Sequence, residues 1–272
     1  MNPEPTPVTT HELADNSISV VIPALNEAGN IGLLVRETVS CIPAFALREI
    51  VVVDDGSDDA TPDELRALAS EIPKLRYVRH QQRAGQSAAV RTGVRTATAP
   101  IIATMDGDGQ NDPRDIAALV SRLDQADRGK VALAGGVRTT RRAESSKRVA
   151  SKFANWLRDA ILDDHCPDTG CGIKAFRREV FLDLPYYSGM HRYLPALFQA
   201  YGYEAVYHPV NDRPRRAGQS KYTNLGRALI GIYDLIGVRW LIRRTILPDR
   251  VPTANQSLRS ASKEETRACT QN

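Results

Sequence analysis

The sequence predicts an α/β fold, a doubly wound and mostly parallel sheet covered by helices. Two observations point there. From Ser17 to Val137 short apolar runs alternate with amphipathic stretches, and acid-rich turns follow three of the first four runs. In chain order, Ile18–Pro23 reads as a first strand, Ile31–Cys41 as a helix and Glu49–Asp54 as a second strand ending on acids. Thr61–Ile72 reads as a helix with Pro62 in its first turn, where the missing N–H has no helical partner to lose. Leu75–Val78 is a third strand, Gln86–Ala97 a helix, Ile101–Met105 a fourth strand, Pro113–Gln125 a helix and Val131–Val137 a fifth strand. After Arg138 the rhythm lengthens. Helices are expected around Ser146–Leu162 and Tyr193–Tyr201, and strands at Gly172–Phe176 and Ala205–His208. Leu225, Leu229, Ile232, Ile236 and Trp240 place one apolar stripe on a C-terminal helix, with Arg227, Arg239, Arg243 and Arg244 around it. Residues 1–16 and 248–272 are rich in Pro, Ser, Thr, Gln and charge, and read as disordered ends.

The chain has 272 residues, 42% apolar and 25% charged, enough to bury a sizeable core in one main domain. A net charge of +4 is too mild for a protein that coats nucleic acid, and the 16 aromatics (5 Phe, 9 Tyr, 2 Trp) do not interleave with basic runs. The total hides a segregation. Residues 1–137 carry 13 basic and 19 acidic side chains, net −6, whereas residues 138–158 (7 against 1) and 211–250 (9 against 3) are each net +6. No run reaches the roughly 18 apolar residues of a membrane span. The nearest, Leu225–Leu247, is broken by Asp234, Arg239, Arg243 and Arg244. The first residues lack the basic start and apolar block of a signal peptide, so a cytoplasmic location is expected, with Cys41, Cys166, Cys171 and Cys269 as free thiols.

In an open parallel sheet, ligands bind beyond the carboxyl ends of the strands. Three turns there carry polar signatures: Pro23, Ala24, Leu25, Asn26 and Glu27; Asp54, Asp55, Gly56, Ser57 and Asp58; and Asp106 through Pro113. One such turn is an ordinary cap, but three at neighbouring strand ends point to a site. Asp106, Asp108 and Gln110 offer hard oxygen donors at alternate positions, the kind that Mg2+ or Mn2+ shares with a diphosphate. A Walker lysine motif is absent, and acids stand where a dinucleotide fingerprint would need bare glycine, so ATPase and dehydrogenase readings fall away.

These segments resemble the family 2 glycosyltransferases with the GT-A fold, and within them the polyprenyl-phosphate branch that includes dolichol-phosphate mannose synthases. The resemblance runs from about Ile18 to Arg244 and is most specific from Asp106 to Pro113. It implies a GT-A domain over 17–210, with an acceptor loop and membrane-facing amphipathic helix over 211–247. It implies that Pro23, Ala24, Asn26, Glu27, Asp54, Asp55, Gly85, Asp106, Gly107 and Asp108 surround a nucleoside diphosphate sugar. The metal, Mg2+ or Mn2+, would rest on Asp106, Asp108 and Gln110. Arg138 and Arg148, with Ser151, match residues that meet the acceptor phosphate. Arg215, Gly218, Ser220, Lys221 and Tyr222 match a loop over donor and acceptor, and Asp168, Gly170, Gly172, Lys174 and Arg177 match an acceptor-side loop.

On this reading Asp106, Asp108, Arg138, Arg148, Arg215 and Lys221 carry the chemistry, an inverting transfer to a phosphate monoester. That acceptor is largely dianionic at neutral pH and needs no strong base; bringing it beside an anionic donor is the difficulty, which the cations offset. Asp106 or Asp168 could serve as a weak base. The acceptor's lipid tail implies a peripheral position on the inner face of the cytoplasmic membrane, with a small integral-membrane partner subunit as the firm anchor and no role for nucleic acid. Two other readings stand beside it: a family 2 enzyme with a saccharide or protein acceptor, and a non-catalytic nucleotide-sugar scaffold. Arg239 and Trp240 touch the processive-polymerase motif Gln-x-x-Arg-Trp, but Ile236 occupies its Gln position. Sugar and base stay open.

Overall fold

A computed structural model describes residues 17–127, 129–139, 157–214 and 224–245, with side chains from 231 onward in the last segment. Seven strands form one sheet: β1 (Ile18–Ala24), β2 (Leu47–Asp54), β3 (Leu75–Arg79), β4 (Ile101–Thr104), β5 (Val131–Arg138), β6 (Lys174–Arg177) and β7 (Glu204–Val210). Their order is β3-β2-β1-β4-β6-β5-β7. β6 runs antiparallel to β4 and β5, and the other pairs are parallel. The helices are α1 (Ile31–Cys41), α2 (Thr61–Glu71), α3 (Gln86–Thr96), α4 (Asp115–Gln125), α5 (Arg178–Asp183), α6 (Leu194–Ala200) and α7 (Asn224–Arg244). Residues 157–162 are also helical; the rest of the helix expected from Ser146, and both chain ends expected to be disordered, lie outside the described residues.

β1, β2 and β4 are apolar almost without interruption because both faces of the sheet are covered. Alternate side chains therefore enter different cores. Val20 and Ile22 pack with Leu34 and Val35 of α1, Leu65 and Leu68 of α2 and Ile116 and Leu119 of α4. Val21, Val51 and Val53 pack with Val90 and Val94 of α3 on the other face. There Phe176 stacks on Phe181 at 5.0 Å between centroids and meets Phe198 at 6.0 Å.

Several elements differ from the pattern reading. α4 starts at Asp115 rather than Pro113, because the Asp112 carboxylate accepts the Arg114 N–H (3.0 Å) and folds residues 112–115 into a turn. β6 starts at Lys174 rather than Gly172, and α5 has no counterpart among the expected elements. On α7 the described part of the expected stripe faces outward. Ile232, Ile236 and Trp240 of the expected stripe are exposed (50, 64 and 60%) beside Tyr233, while Leu235 and Val238 are the buried side chains that pack on the α3 side. α7 is apolar on two faces. The side chains of Leu225 and Leu229 lie outside the described residues.

At the sheet edge away from the carboxyl ends, buried Glu49 ties three segments together. It accepts Ser19 Oγ (2.9 Å), Thr98 N and Thr98 Oγ1 (both 2.7 Å) and Arg76 Nη1 (2.8 Å). Burial alone would raise its carboxyl, but the hydrogen bonds from Arg76, Thr98 and Ser19 outweigh burial and lower it to about 2. A depressed carboxylate stabilises the fold above its ordinary value and loses that effect as protons bind in the folded state. Glu49→Ala is expected to lower stability by about 3 kcal/mol near neutral pH. In urea denaturation the gap from the unsubstituted chain should narrow as pH falls from 4.5 towards about 2.

Candidate functional site

The strand order reverses direction between β1 and β4, and the crevice beyond their carboxyl ends gathers the acidic turns. Gly107 lets the turn after β4 lie against the end of β1, since a Cβ there would stand 3.0 Å from Pro23 O and 3.5 Å from Glu27 Cγ. Pro23, Ala24 and Glu27 are thus neighbours of Asp106 and Asp108. Asn111 Oδ1 accepts the Asp106 N–H (3.0 Å), and Asp108 Oδ1 accepts the Gln110 N–H (3.1 Å). Gln86, at the start of α3, donates from Nε2 to Asp106 Oδ1 (2.8 Å). Burial and the neighbouring Asp108 charge push the Asp106 carboxyl upward, against Lys174, the Gln86 hydrogen bond and Arg138. Gly172 is required on the opposite side: a Cβ there would stand 2.6 Å from Asp106 Cγ and 2.9 Å from Asn111 Oδ1.

The remaining predicted donor-side residues are engaged with the protein. Asp54 Oδ1 accepts the Ser57 N–H (2.8 Å) and Oδ2 accepts Tyr77 Oη (3.1 Å). Asp55 accepts the N–H groups of Ala84 (2.8 Å) and Gly85 (2.7 Å) and pairs with His80 Nδ1 (2.8 Å), whose Nε2 meets Thr92 Oγ1 (2.9 Å). Asp55 thereby fixes where α3 begins. Gly85, before α3, has φ +92° and ψ 162°, a region that is essentially open to glycine alone. Asn26, in a left-handed turn at φ +54°, donates from Nδ2 to Asp58 Oδ1 (2.6 Å) and accepts the Asp58 N–H (3.0 Å). Glu64 of α2 accepts the N–H groups of Gly29 (2.9 Å) and Gly32 (3.0 Å), so the positive end of α1 is already neutralised.

Arg138 and Asp168, 30 residues apart, meet as a fork. Nε donates to Oδ2 (2.7 Å) and Nη2 to Oδ1 (2.8 Å), with side-chain exposures of 19 and 7%. The Asp168 hydrogen bond raises the Arg138 guanidinium, which stays cationic. Lys174, at the start of β6, is buried, donates to Cys171 O and faces the Asp106 charge. Arg148, Ser151, Arg215, Ser220 and Lys221, with Gly218 and Tyr222, lie outside the described residues.

Pattern reasoning missed Gln86 and Asn111 as holders of Asp106, although both stand inside segments it singled out. It also missed Ser87 and His191. Ser87 Oγ accepts the N–H groups of Gly189 (3.0 Å) and His191 (3.4 Å), so its own O–H points to His191 Nδ1 (2.7 Å). Burial, then the Arg192 and Lys174 charges, lower His191 to about 3, leaving a neutral ring. A lone histidine 104 residues downstream gave no signal for this contact.

Two carboxylates and an amide beyond β4 form a hard-oxygen donor set of the kind a divalent ion takes; burial first, then the Asp108 charge, disfavours the Asp106 anion, and a cation there would offset both. Among the described residues no cluster of three or more His, Cys, Asp or Glu stands ready for a metal, so the set would need the Gln110 amide, water or phosphate oxygens.

Comparison with known proteins agrees with this architecture. The profile described as "Glycosyl transferase family 2" matches residues 19–184. A protein of Rhizobium johnstonii named dodecaprenyl-phosphate galacturonate synthase is 34% identical over 254 residues, covering 90% of this chain and 73% of the relative. Mannosyltransferase PcManGT from Pyrobaculum calidifontis, solved with GDP-Man and Mn2+, is 26% identical with a TM-score of 0.62, covering 90% of this chain and 69% of its own. Glucosyl-3-phosphoglycerate synthase from Mycobacterium tuberculosis, solved with Mn2+, UDP and glucosyl-3-phosphoglycerate, shares the fold at a TM-score of 0.63 and 23% identity, covering 86% of this chain and 81% of its own. The mostly parallel sheet is that of the GT-A fold.

The Arg138–Asp168 fork is testable on its own. Asp168→Ala, which leaves a partly buried guanidinium without its carboxylate, is expected to lower stability by about 2 kcal/mol, and Arg138→Met with Asp168→Leu should regain most of that loss. Urea denaturation of the single and paired variants measures both.

Proposed function

Because the chain belongs to glycosyl transferase family 2, we propose that it transfers a sugar from a nucleoside diphosphate sugar to a polyprenyl phosphate, inverting the anomeric carbon. The observation that carries this reading is the pair Asp106 and Asp108 at the carboxyl end of β4, supported by identity to the Rhizobium synthase along 90% of the chain. That relative's name supports a hexuronate, galacturonate in the first instance, as the sugar.

Asp106, Asp108 and Gln110 would hold the divalent ion, which when bound stabilises charge on the departing diphosphate. Pro23, Ala24, Asn26, Glu27, Gly85 and Gly107 wall the donor crevice, while Asp54 and Asp55 shape it by fixing the turns they cap. Gln86 and Asn111 aim Asp106. Asp168 holds Arg138 rigid at the end of β5, so that its guanidinium faces an acceptor phosphate without reorganisation. Arg148, Ser151, Arg215, Ser220 and Lys221 complete the acceptor side and balance a dianion brought beside an anionic donor. Asp168, engaged by two Arg138 nitrogens, is poorly placed to take a proton, and a phosphate dianion needs none removed.

The exposed face of α7 supports a membrane position. Ile232, Tyr233, Ile236 and Trp240 form an exposed apolar face, Arg239, Arg243 and Arg244 lie on the same helix with the Arg244 guanidinium 5.7 Å from the Trp240 ring centroid, and Trp240 suits the headgroup layer. Among the described residues no helix is long and apolar enough to cross a membrane. An interfacial helix with arginines around it fits the inner face of the cytoplasmic membrane, with a small integral-membrane partner for firm residence.

Two experiments test the reading. Purified chain with Mn2+ and a panel of nucleotide sugars should glycosylate undecaprenyl phosphate, with UDP-galacturonate among the substrates. Chelation or Asp108→Ala should reduce turnover by about 100-fold or more, and donor binding without product under any metal would defeat the enzyme reading. Trp240→Glu should reduce the vesicle-bound fraction about 10-fold on anionic vesicles in a flotation assay; unchanged flotation would remove α7 from the interface. Full flotation of the unsubstituted chain in high salt would make the partner subunit unnecessary.

A further inference from the structure

The segment that leaves β7 is stitched to the loop carrying the carboxylates. Arg213 N donates to Gln110 O (2.9 Å), Asn211 N donates to Asp115 Oδ2 (2.8 Å), and Asn111 and Asp212 form an isolated antiparallel bridge. The Arg213 side chain adds a second tie across a larger gap. Nη1 donates to Glu37 Oε2 and Nη2 to Glu37 Oε1, both at 2.9 Å, and Nη2 also lies 2.6 Å from Asp112 Oδ1. Arg213 is 18% exposed, Glu37 26% and Asp112 3%.

One planar cation therefore bridges two acids from separate elements, Glu37 on α1 and Asp112 on the loop after β4. Arg114 also donates from Nε to Asp112 Oδ1 (3.0 Å), but among the described residues only Arg213 joins Asp112 to Glu37, and without it the Glu37 charge would lose that partner. A guanidinium suits the place because its fork grips Glu37 at two points while the same Nη2 reaches Asp112; an ammonium is a single point charge and cannot hold both in one plane. Glu37 and Arg213 are 176 residues apart; Arg213 lies in the 211–247 segment but ahead of the Arg215–Tyr222 motif, and Glu37 stands in no site motif.

We propose that Arg213 is a positioning residue for the carboxylate loop. By clamping Asp112 to Glu37 and the loop backbone at Gln110, it holds Asp108 and Gln110 in one arrangement before a divalent ion and a nucleoside diphosphate arrive. The proposal rests on the metal-dependent reading of that loop. Arg213 touches no reacting atom; its effect passes through the loop.

The full chain and the variants Arg213→Lys, Arg213→Met and Glu37→Gln test this by three readouts. Titration calorimetry with UDP and with GDP, across a Mn2+ series, measures binding without turnover. Arg213→Lys should weaken Mn2+-dependent nucleotide binding about 10-fold, the scale of losing a residue that orients a metal ligand. Glu37→Gln should weaken it in the same direction. In turnover, excess Mn2+ should restore kcat in Arg213→Lys while the KM for undecaprenyl phosphate stays unchanged. In metal-free protein, hydrogen exchange of the 108–115 amides should speed up in both variants, with circular dichroism unchanged. Arg213→Met removes the cation that joins Glu37 to Asp112, leaving Asp112 to Arg114 alone, and serves as the severe case; if it does not fold, Arg213→Lys and Glu37→Gln decide the matter. A lower melting temperature with unaltered Mn2+ dependence and unaltered exchange would overturn the proposal. Nucleotide binding without transfer in the unsubstituted chain would defeat the acceptor assignment and leave the clamp standing. No Mn2+-dependent binding in that chain would defeat both.

Discussion

At the end of β4 the Asp106 carboxylate is buried beside Asp108, and much of the surrounding structure answers the cost of holding a charge there. The parallel sheet opens a crevice there, and the neighbouring strands supply the groups that hold the acids in place. Gln86 reaches Asp106 from the start of α3, Asn111 fixes its backbone, and Lys174 and Arg138 bring positive charge from the far half of the sheet. Asn111 belongs to the same turn as the acids, Gln86 to the connection before β4, and Arg138 and Lys174 to the two ends of the β5–β6 connection, so local and long-range contacts both hold Asp106. Local strand-end geometry and global topology are one constraint here.

The same economy explains the acid-rich body. Asp55 sets the start of α3, Asp54 and Asp58 close the turn after β2, and Glu64 neutralises the amino end of α1. Among the helices that face the crevice from the β1–β4 half, α3 starts on a glycine, with no side-chain cap and no acid in its first turn. The acids of the crevice are thus already engaged by protein donors, and at α3 it is Asp55, holding the Ala84 and Gly85 N–H groups from outside the helix, that stands at the amino end. Net charge alone would have suggested a surface that repels diphosphates.

How much of this was legible in the sequence follows from the reach of each signal. The strands β1 to β5 and helices α1 to α4 are marked by local periodicity, which a window of a dozen residues contains. The Asp106–Pro113 turn is equally local. The Arg138–Asp168 fork and the Glu37–Arg213–Asp112 bridge join positions 30 and 176 residues apart, and no local pattern encodes which arginine meets which acid. α7 carries a second apolar face beside the one its spacing marked. Its spacing revealed apolar positions correctly, but with Leu235 and Val238 on one side and Ile232 and Ile236 on another, periodicity could not say which side packs.

The reversed strand β6 has a further consequence. Because it runs against β4 and β5, its beginning and not its end lies at the crevice, so the segment 168–172 enters the site from the chain's second half while the donor-side turns all come from the first. The two halves are joined along the whole β4–β6 ladder, and at its crevice end Asp106 stands against Gly172 and Lys174. A change of side chain within 168–172 is therefore transmitted to the Asp106 carboxylate while the turns after β1 and β2 keep their own ties.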